Sequence, residues 1–347
     1  MSKIGVIYND LFIKHNPGPY HPESPRRLEA IIKRLREEDI GGFIDFYEPY
    51  RATKEEILWN HAEDLYNRVA NTAGKPYSSL DPDTSTNEYS FEAALHAVGA
   101  QKKGLELLFD EGYSYAFALV RPPGHHAERE YAMGFCLFNN VALAAYYAKN
   151  HYKKKRVLII DFDLHHGNGT QRSFYDDPEV LFFSSHQYPY YPGTGNYTEI
   201  GNGDGRGFNI NVPLKAFSGD DDIIFFYKYL LKPVALQYKP EIILVSAGFD
   251  CLQGDPLGSL QLSFKGLGVI INIIKDIAKN SSQGKILFTL EGGYNLNNLA
   301  EGVATVVKAL IEKEPYPVPE EIQPSSYAQA LFDKIADLLK FKHYWEV

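Results

Sequence analysis

Asp161-Phe162-Asp163-Leu164-His165-His166-Gly167-Asn168-Gly169 follows the run Arg156-Val157-Leu158-Ile159-Ile160. A short, continuous apolar run rich in β-branched residues reads as a buried parallel strand. Open α/β sheets bind ligands beyond the carboxyl ends of such strands. Two aspartates and two histidines fall within six positions at this end. Asp163 and His165 are two residues apart, so an extended backbone points them to one side. A hard carboxylate oxygen with a neutral imidazole suits zinc or a similar divalent ion. Any one of these residues alone reads as a helix cap or a packed histidine. Four together are costly to bury unless something pairs them.

The rest of the chain repeats the pattern. Apolar runs occur at Ile4–Tyr8, Tyr115–Val120, Val157–Ile160, Val180–Ser184, Phe208–Val212, Ile242–Ser246 and Ile286–Leu290. Amphipathic segments lie between them: Ser24–Glu38, Phe91–Phe109, Asn140–Asn150, Ile223–Gln237 and Phe264–Lys279. Strand alternating with helix predicts an α/β fold, a mainly parallel sheet covered on both faces. The Pro-rich stretch Glu314–Pro324 reads as a linker before a last helix around Tyr327–Phe341. The expected organisation is one catalytic domain over residues 1–313, with 314–347 as linker and appended helix.

Composition sets limits. With 347 residues, 44% of them apolar, the chain can bury a large core. A net charge of -9 argues against a nucleic-acid or anionic-membrane surface. The two cysteines, Cys136 and Cys251, form no CxxC pair, which fits a reducing compartment and leaves metal binding to His and Asp. The start Met1-Ser2-Lys3-Ile4 lacks the form of a signal peptide, and no stretch has the length of a membrane span. The expectation is a soluble cytoplasmic protein, with an oligomer possible.

Chemically capable residues follow strand after strand: Arg121-Pro122-Pro123-Gly124-His125-His126, Ser185-His186, Ala247-Gly248-Phe249-Asp250 and Glu291-Gly292-Gly293-Tyr294. In a parallel sheet these strand ends share one edge. Asp163, His165 and Asp250 supply three ligands and leave a position open, the layout of a catalytic zinc site. His125 and His126 sit behind two prolines and a glycine, as a proton-transferring residue and an electrostatic neighbour, with Asp161 and Asn168 as their partners. Tyr294 is a phenol able to donate to an oxyanion. Phe135, Tyr190 and Tyr191 flank glycines and prolines and are suited either to a narrow slot for a methylene chain or to packing in the core.

With these segments in place, the chain resembles the zinc-dependent histone deacetylase superfamily. The likeness runs from His21-Pro22-Glu23-Ser24-Pro25-Arg26-Arg27 to Glu291-Gly292-Gly293-Tyr294 and takes in Arg121–His126, Gly134–Cys136, Asp161–Gln171 and Ala247–Asp250. Asn168 and the Glu-Gly-Gly-Tyr segment resemble class II and bacterial or archaeal deacetylase-like amidohydrolases more than class I.

The resemblance implies an arginase/deacetylase-like three-layer fold and hydrolysis of an N-acetyl amide. Asp163, His165 and Asp250 would hold one zinc ion. His126 would be general base and then general acid, with His125 as its companion and Tyr294 as oxyanion donor. Asp161 would pair with His125 and join Ser184 and the carbonyls of Asp163, His165 and Ser185 around a structural potassium ion. Phe135 and Tyr191 would line the acyl channel.

Arginases share the fold, but their two-metal site needs aspartates where this chain has Gly167 and Leu252. Substrate choice turns on the residue after Gly254-Asp255-Pro256, where acetylpolyamine-preferring relatives can carry an acid. Leu257 there favours acetyl-lysine in a peptide or protein. Glu88, in the polar loop Asp81–Ser90, is a rim acid that would favour a small N-acetylated amine such as an acetylpolyamine. A catalytically silent acyl-lysine binding protein is the alternative of another class.

Overall fold

The computed structural model describes residues 3–312, 315–341 and 344–347. Ten strands form: β1 (Ile4–Ile7), β2 (Ile44–Tyr47), β3 (Ser78–Asp81), β4 (Thr84–Thr86), β5 (Tyr115–Ala118), β6 (Val157–Asp161), β7 (Val180–Gln187), β8 (Asn209–Leu214), β9 (Ile242–Ala247) and β10 (Ile286–Leu290). Strands β3 and β4 make a separate antiparallel hairpin. The other eight form one sheet in the order β2-β1-β5-β10-β9-β6-β7-β8, with every pairing parallel.

Every residue of β5, β6, β9 and β10 is buried. A strand buried along its whole length must be covered on both faces, which is why these segments read as unbroken apolar runs. Helix Ser90–Phe109 packs on β1, β5 and β10, and helix Asn140–Asn150 on β6 and β9. Helices Phe264–Asn280 and Leu296–Ile311 pack against each other, and the latter against Arg26–Leu35.

Two expectations are modified. Helix Ser90–Phe109, expected as an amphipathic segment over Phe91–Phe109, buries 14 of its 20 residues because it packs at once on β1, β5 and β10 and against the neighbouring helix Asn140–Asn150. The segment expected as one helix over Ile223–Gln237 runs as Asp220–Phe226, a π-helical turn Tyr227–Leu231, and Lys232–Tyr238. Strand β2, absent from the expected set, is an edge strand with only Ile44 buried, so its apolar run is too short to stand out.

The boundary expected between residues 313 and 314 falls on Lys313 and Glu314, outside the described residues. Helix Ser326–Phe341 meets edge strand β8 and helix Asp220–Phe226: Tyr327 Oη donates to the Pro213 carbonyl at 2.8 Å, and Phe332 meets Phe225 with ring centroids 5.1 Å apart. Among the described residues no helix is long and apolar enough to cross a membrane.

Candidate active site

The four central strands β5-β10-β9-β6 are consecutive neighbours in the sheet. Adjacent strands are about 4.8 Å apart, so their carboxyl ends span only about 14 Å. Each carries one of the motifs: His125–His126 after β5, Glu291–Tyr294 after β10, Asp250 after β9 and Asp163–Asn168 after β6. Residues far apart in the chain thus meet because the sheet order interleaves them.

One potential ligand atom from each of Asp163, His165 and Asp250 lies within 4.8 Å of the others. His165 Nδ1 is 3.1 Å from Asp163 Oδ1 and 3.2 Å from Asp250 Oδ2. The two carboxylates are buried, whereas the His165 side chain is 12% exposed. Asp250 Oδ2 is buried and, beyond the ring nitrogen of His165, has no hydrogen-bond partner, whereas Oδ1 of the same carboxylate accepts from Leu164 N at 2.9 Å. Two buried carboxylates so poorly satisfied at one place are unfavourable unless a cation joins them. The donor set and geometry therefore fit a divalent metal ion. A Cβ on Gly248 would collide with Asp163, and one on Gly292 with both Asp163 and Asp250. These two glycines let the backbone close around the carboxylates.

The electrostatics of the cluster agree. Burial works against a charged His165, but the bonds and charges of Asp163 and Asp250 outweigh it and raise its pKa to about 9. Burial and the Asp163 charge push Asp250 up to about 6.

His125 and His126 stand beside this cluster with different partners. His125 Nδ1 is 3.0 Å from Asp161 Oδ2, and burial is overcome by the charges of Asp161 and Asp163, which raise its pKa to about 10. His126 Nδ1 is 2.8 Å from Asn168 Oδ1, and burial, then the charges of His125 and His165, hold it well below the usual histidine range. The two adjacent imidazoles are thus pushed in opposite directions, His125 towards the protonated form and His126 towards the neutral one. Burial and the Asp250 charge keep Tyr294 a neutral phenol.

The aromatic residues form walls. Phe135 stands edge-on to Tyr294 at 5.9 Å and to His21 at 4.5 Å. Tyr191 stands edge-on to His126 at 5.2 Å, and Tyr190 stacks on His165 at 5.7 Å. Phe135 has φ of +69°, a left-handed conformation that is costly for an aromatic residue and aims its ring. Leu257 sits at the rim, its carbonyl accepting from Tyr190 Oη at 3.2 Å. Glu88 is exposed, whereas Asp83 of the same loop reaches the wall: its Oδ1 accepts from Gly134 N at 3.2 Å. Ser184 and Asp161 are register partners on β7 and β6; the Ser184 hydroxyl bonds His186 Nδ1 at 2.9 Å, and that of Ser185 bonds Tyr227 Oη at 3.1 Å.

Sequence reasoning left several supporting residues without a role. Glu291 Oε2 accepts from Gly124 N at 2.7 Å and His125 N at 3.2 Å, and its Oε1 from Ser246 Oγ at 3.1 Å. Asp255 Oδ2 accepts from Tyr294 N at 2.7 Å and Asn295 N at 3.0 Å, fixing the turn that carries the phenol. Arg27, fully buried, donates to the carbonyls of Gly293 and Glu291 and pairs with Glu23, which also binds buried Arg121. The available signal was an acidic or basic residue inside each motif without chemistry of its own.

A family model described as the histone deacetylase domain matches residues 21–310. Histone deacetylase 5 of Arabidopsis thaliana is 39% identical over 340 residues, 93% of this chain and 51% of that protein. A probable deacetylase of Archaeoglobus fulgidus is 36% identical over 295 residues, 84% of this chain and 81% of that one. The crystal structure of the HDA15 HD domain superposes with a TM-score of 0.91 at 34% identity, covering 99% of this chain and 95% of that one. The superposition and the eight-stranded parallel sheet give this chain the arginase/deacetylase-like three-layer fold. The chain spans about half the length of some curated relatives, 51% of histone deacetylase 5 and 56% of histone deacetylase 15 of Arabidopsis thaliana.

Proposed function

This chain belongs to the histone deacetylase family, and on that premise we propose that it is a zinc-dependent amidohydrolase removing the acetyl group from acetyl-lysine or a similar N-acylated amine. One observation carries the reading: His125 paired with a carboxylate, His126 paired with an amide oxygen and the buried Tyr294 phenol stand beside a cluster of three metal-ligand side chains. A structural metal site has no need of that arrangement.

Asp163, His165 and Asp250 would hold the ion, which when bound supplies a Lewis acid for the amide carbonyl and lowers the pKa of a water molecule. His126, neutral and with Nδ1 engaged by Asn168, presents Nε2 to take a proton from the attacking water. His125 stays protonated against Asp161 and favours negative charge building up beside it. Tyr294 donates its phenolic proton as a hydrogen bond to the developing oxyanion. His126 then returns its proton to the departing amine.

Phe135 and Tyr191 are assigned to the walls of a channel for an aliphatic chain ending in the acetyl group. Leu257 at the rim favours an acetyl-lysine peptide. The position of Asp83 supports a second reading, a small cationic acetylated amine such as an acetylpolyamine. The same family reading carries a structural potassium ion at Asp161, Ser184 and the carbonyls of Asp163, His165 and Ser185, with Asp161 and Ser184 side by side on adjacent strands.

A side-by-side assay of an acetyl-lysine peptide, acetylputrescine and acetylspermidine tests the assignment. Faster turnover of the peptide supports the first reading, and faster turnover of the amines the second. Tight binding of all three without hydrolysis would replace both with an acyl-lysine binding protein.

A further inference from the structure

Glu128 lies two residues beyond His126, and the reaction described above gives it no part. Its Oε1 accepts a hydrogen bond from Asn168 Nδ2 at 2.8 Å. The His126 carbonyl, at 3.4 Å, and Met133 Sδ, at 3.6 Å, flank the same amide nitrogen. At the other end of the side chain, Asn168 Oδ1 faces His126 Nδ1 at 2.8 Å. The two ends of a carboxamide are almost the same shape and differ in being donor or acceptor.

That difference decides which imidazole nitrogen can act as base. With Oδ1 facing it, His126 must carry its proton on Nδ1, and Nε2 keeps a free lone pair. With the amide reversed, an NH2 would face Nδ1, the imidazole proton would move to Nε2, and the base would be blocked. An aspartate at position 168 would present only acceptors and could not reverse. Asparagine needs something to hold it.

We infer that Glu128 is that element, a positioning residue whose carboxylate fixes the Asn168 amide and through it the His126 tautomer. The carboxylate is an acceptor with no proton to give, so it rejects the reversed amide, and a hydrogen bond to an ionised acceptor is roughly twice as strong as a neutral one. Glu128 is itself held in place. Its backbone N–H donates to the Tyr131 carbonyl at 2.9 Å, and its own carbonyl accepts from buried His61 Nδ1 at 2.9 Å. Its second carboxylate oxygen lies 3.6 Å from Arg172 Nε, and the side chain is 20% exposed, so an isosteric replacement leaves the core untouched.

The inference rests on the reading of His126 as the base, but the tautomer can be observed without turnover. The test uses the full chain and three variants: Glu128→Gln, Asn168→Asp and the double variant. Imidazole nitrogen NMR of 15N-histidine-labelled protein reads His126, assigned by difference from His126→Gln, and steady-state kinetics are measured on the acetyl-lysine peptide. Glu128→Gln should shift His126 from its Nδ1–H form towards Nε2–H and lower kcat roughly tenfold with KM unchanged. Asn168→Asp alone should also be impaired, because two carboxylates then face each other. The double variant should recover most of the kcat lost by Glu128→Gln and restore the Nδ1–H signal.

A Glu128→Gln protein with the parent's tautomer overturns the inference, as does a kinetic loss that Asn168→Asp does not rescue. If the parent chain turns over no substrate, the function assigned above fails while the nitrogen spectra still decide the role of Glu128.

Discussion

The rings of His125 and His126 lie with centroids 4.0 Å apart, yet one Nδ1 faces the Asp161 carboxylate at 3.0 Å and the other the Asn168 amide oxygen at 2.8 Å. Neighbours in sequence and space thus have partners that favour opposite protonation, a carboxylate beside His125 and a neutral amide oxygen beside His126. In the proposed reaction His126 is the proton carrier and His125 the fixed charge. Replacing His126 with alanine should lower kcat by roughly a hundredfold to ten-thousandfold, the range for loss of a general base. His125→Ala should cost less, because an electrostatic neighbour moves no proton. Steady-state kinetics of the two variants check the order, and equal losses would remove the distinction.

Tyr294→Phe keeps the ring packed against Phe135 and removes only the hydroxyl. Zinc content measured by atomic absorption should not change, while turnover falls by roughly a hundredfold or more, as for loss of an oxyanion donor. Normal turnover in this variant would take the oxyanion role away from Tyr294.

Arg27 ties helix Arg26–Leu35 to the turn that carries Tyr294, through the carbonyls of Glu291 and Gly293, with its guanidinium 5.1 Å from the centre of the Tyr294 ring. Arg27→Met should destabilise the fold by about 3–5 kcal/mol, since it leaves buried Glu23 short of a partner and two carbonyls without donors. Urea denaturation measures this, and an unchanged midpoint would show that Arg121 alone satisfies Glu23.

What the sequence reveals and what it hides follows from the same physics. Strands β5, β6, β9 and β10 are legible because full burial demands unbroken apolar runs, and each ends in residues with chemistry of their own. Edge strand β2 is not, because only Ile44 is buried. Asp163, His165 and Asp250 stand out by type and spacing, but their convergence depends on β9 and β10 inserting between β5 and β6, which no local pattern states. Asp255, Glu291 and Arg27 act by holding backbone groups of distant segments, so their partners appear only once the chain is folded.

Two buried histidines outside the metal cluster set an acid limit on stability. Burial lowers His61 and His186 from 6.5 to about 4. Between those values the unfolded chain binds more protons than the folded one, so stability rises with pH and is lost as pH falls from 6.5 towards 4. Denaturant unfolding of the metal-free chain and of His61→Gln across this window should differ in pH slope by about one proton, the variant losing less stability as pH falls. Equal slopes in the two proteins would mean that the His61 ring is protonated in the folded state.

Titration of metal-depleted protein with zinc, followed by hydrolysis of an acetyl-lysine peptide, tests the central claim most directly. Activity should be absent at the start, rise in proportion to added zinc and level off at one equivalent per chain. Turnover that survives metal depletion, or that needs a second equivalent, would contradict a single site built from Asp163, His165 and Asp250.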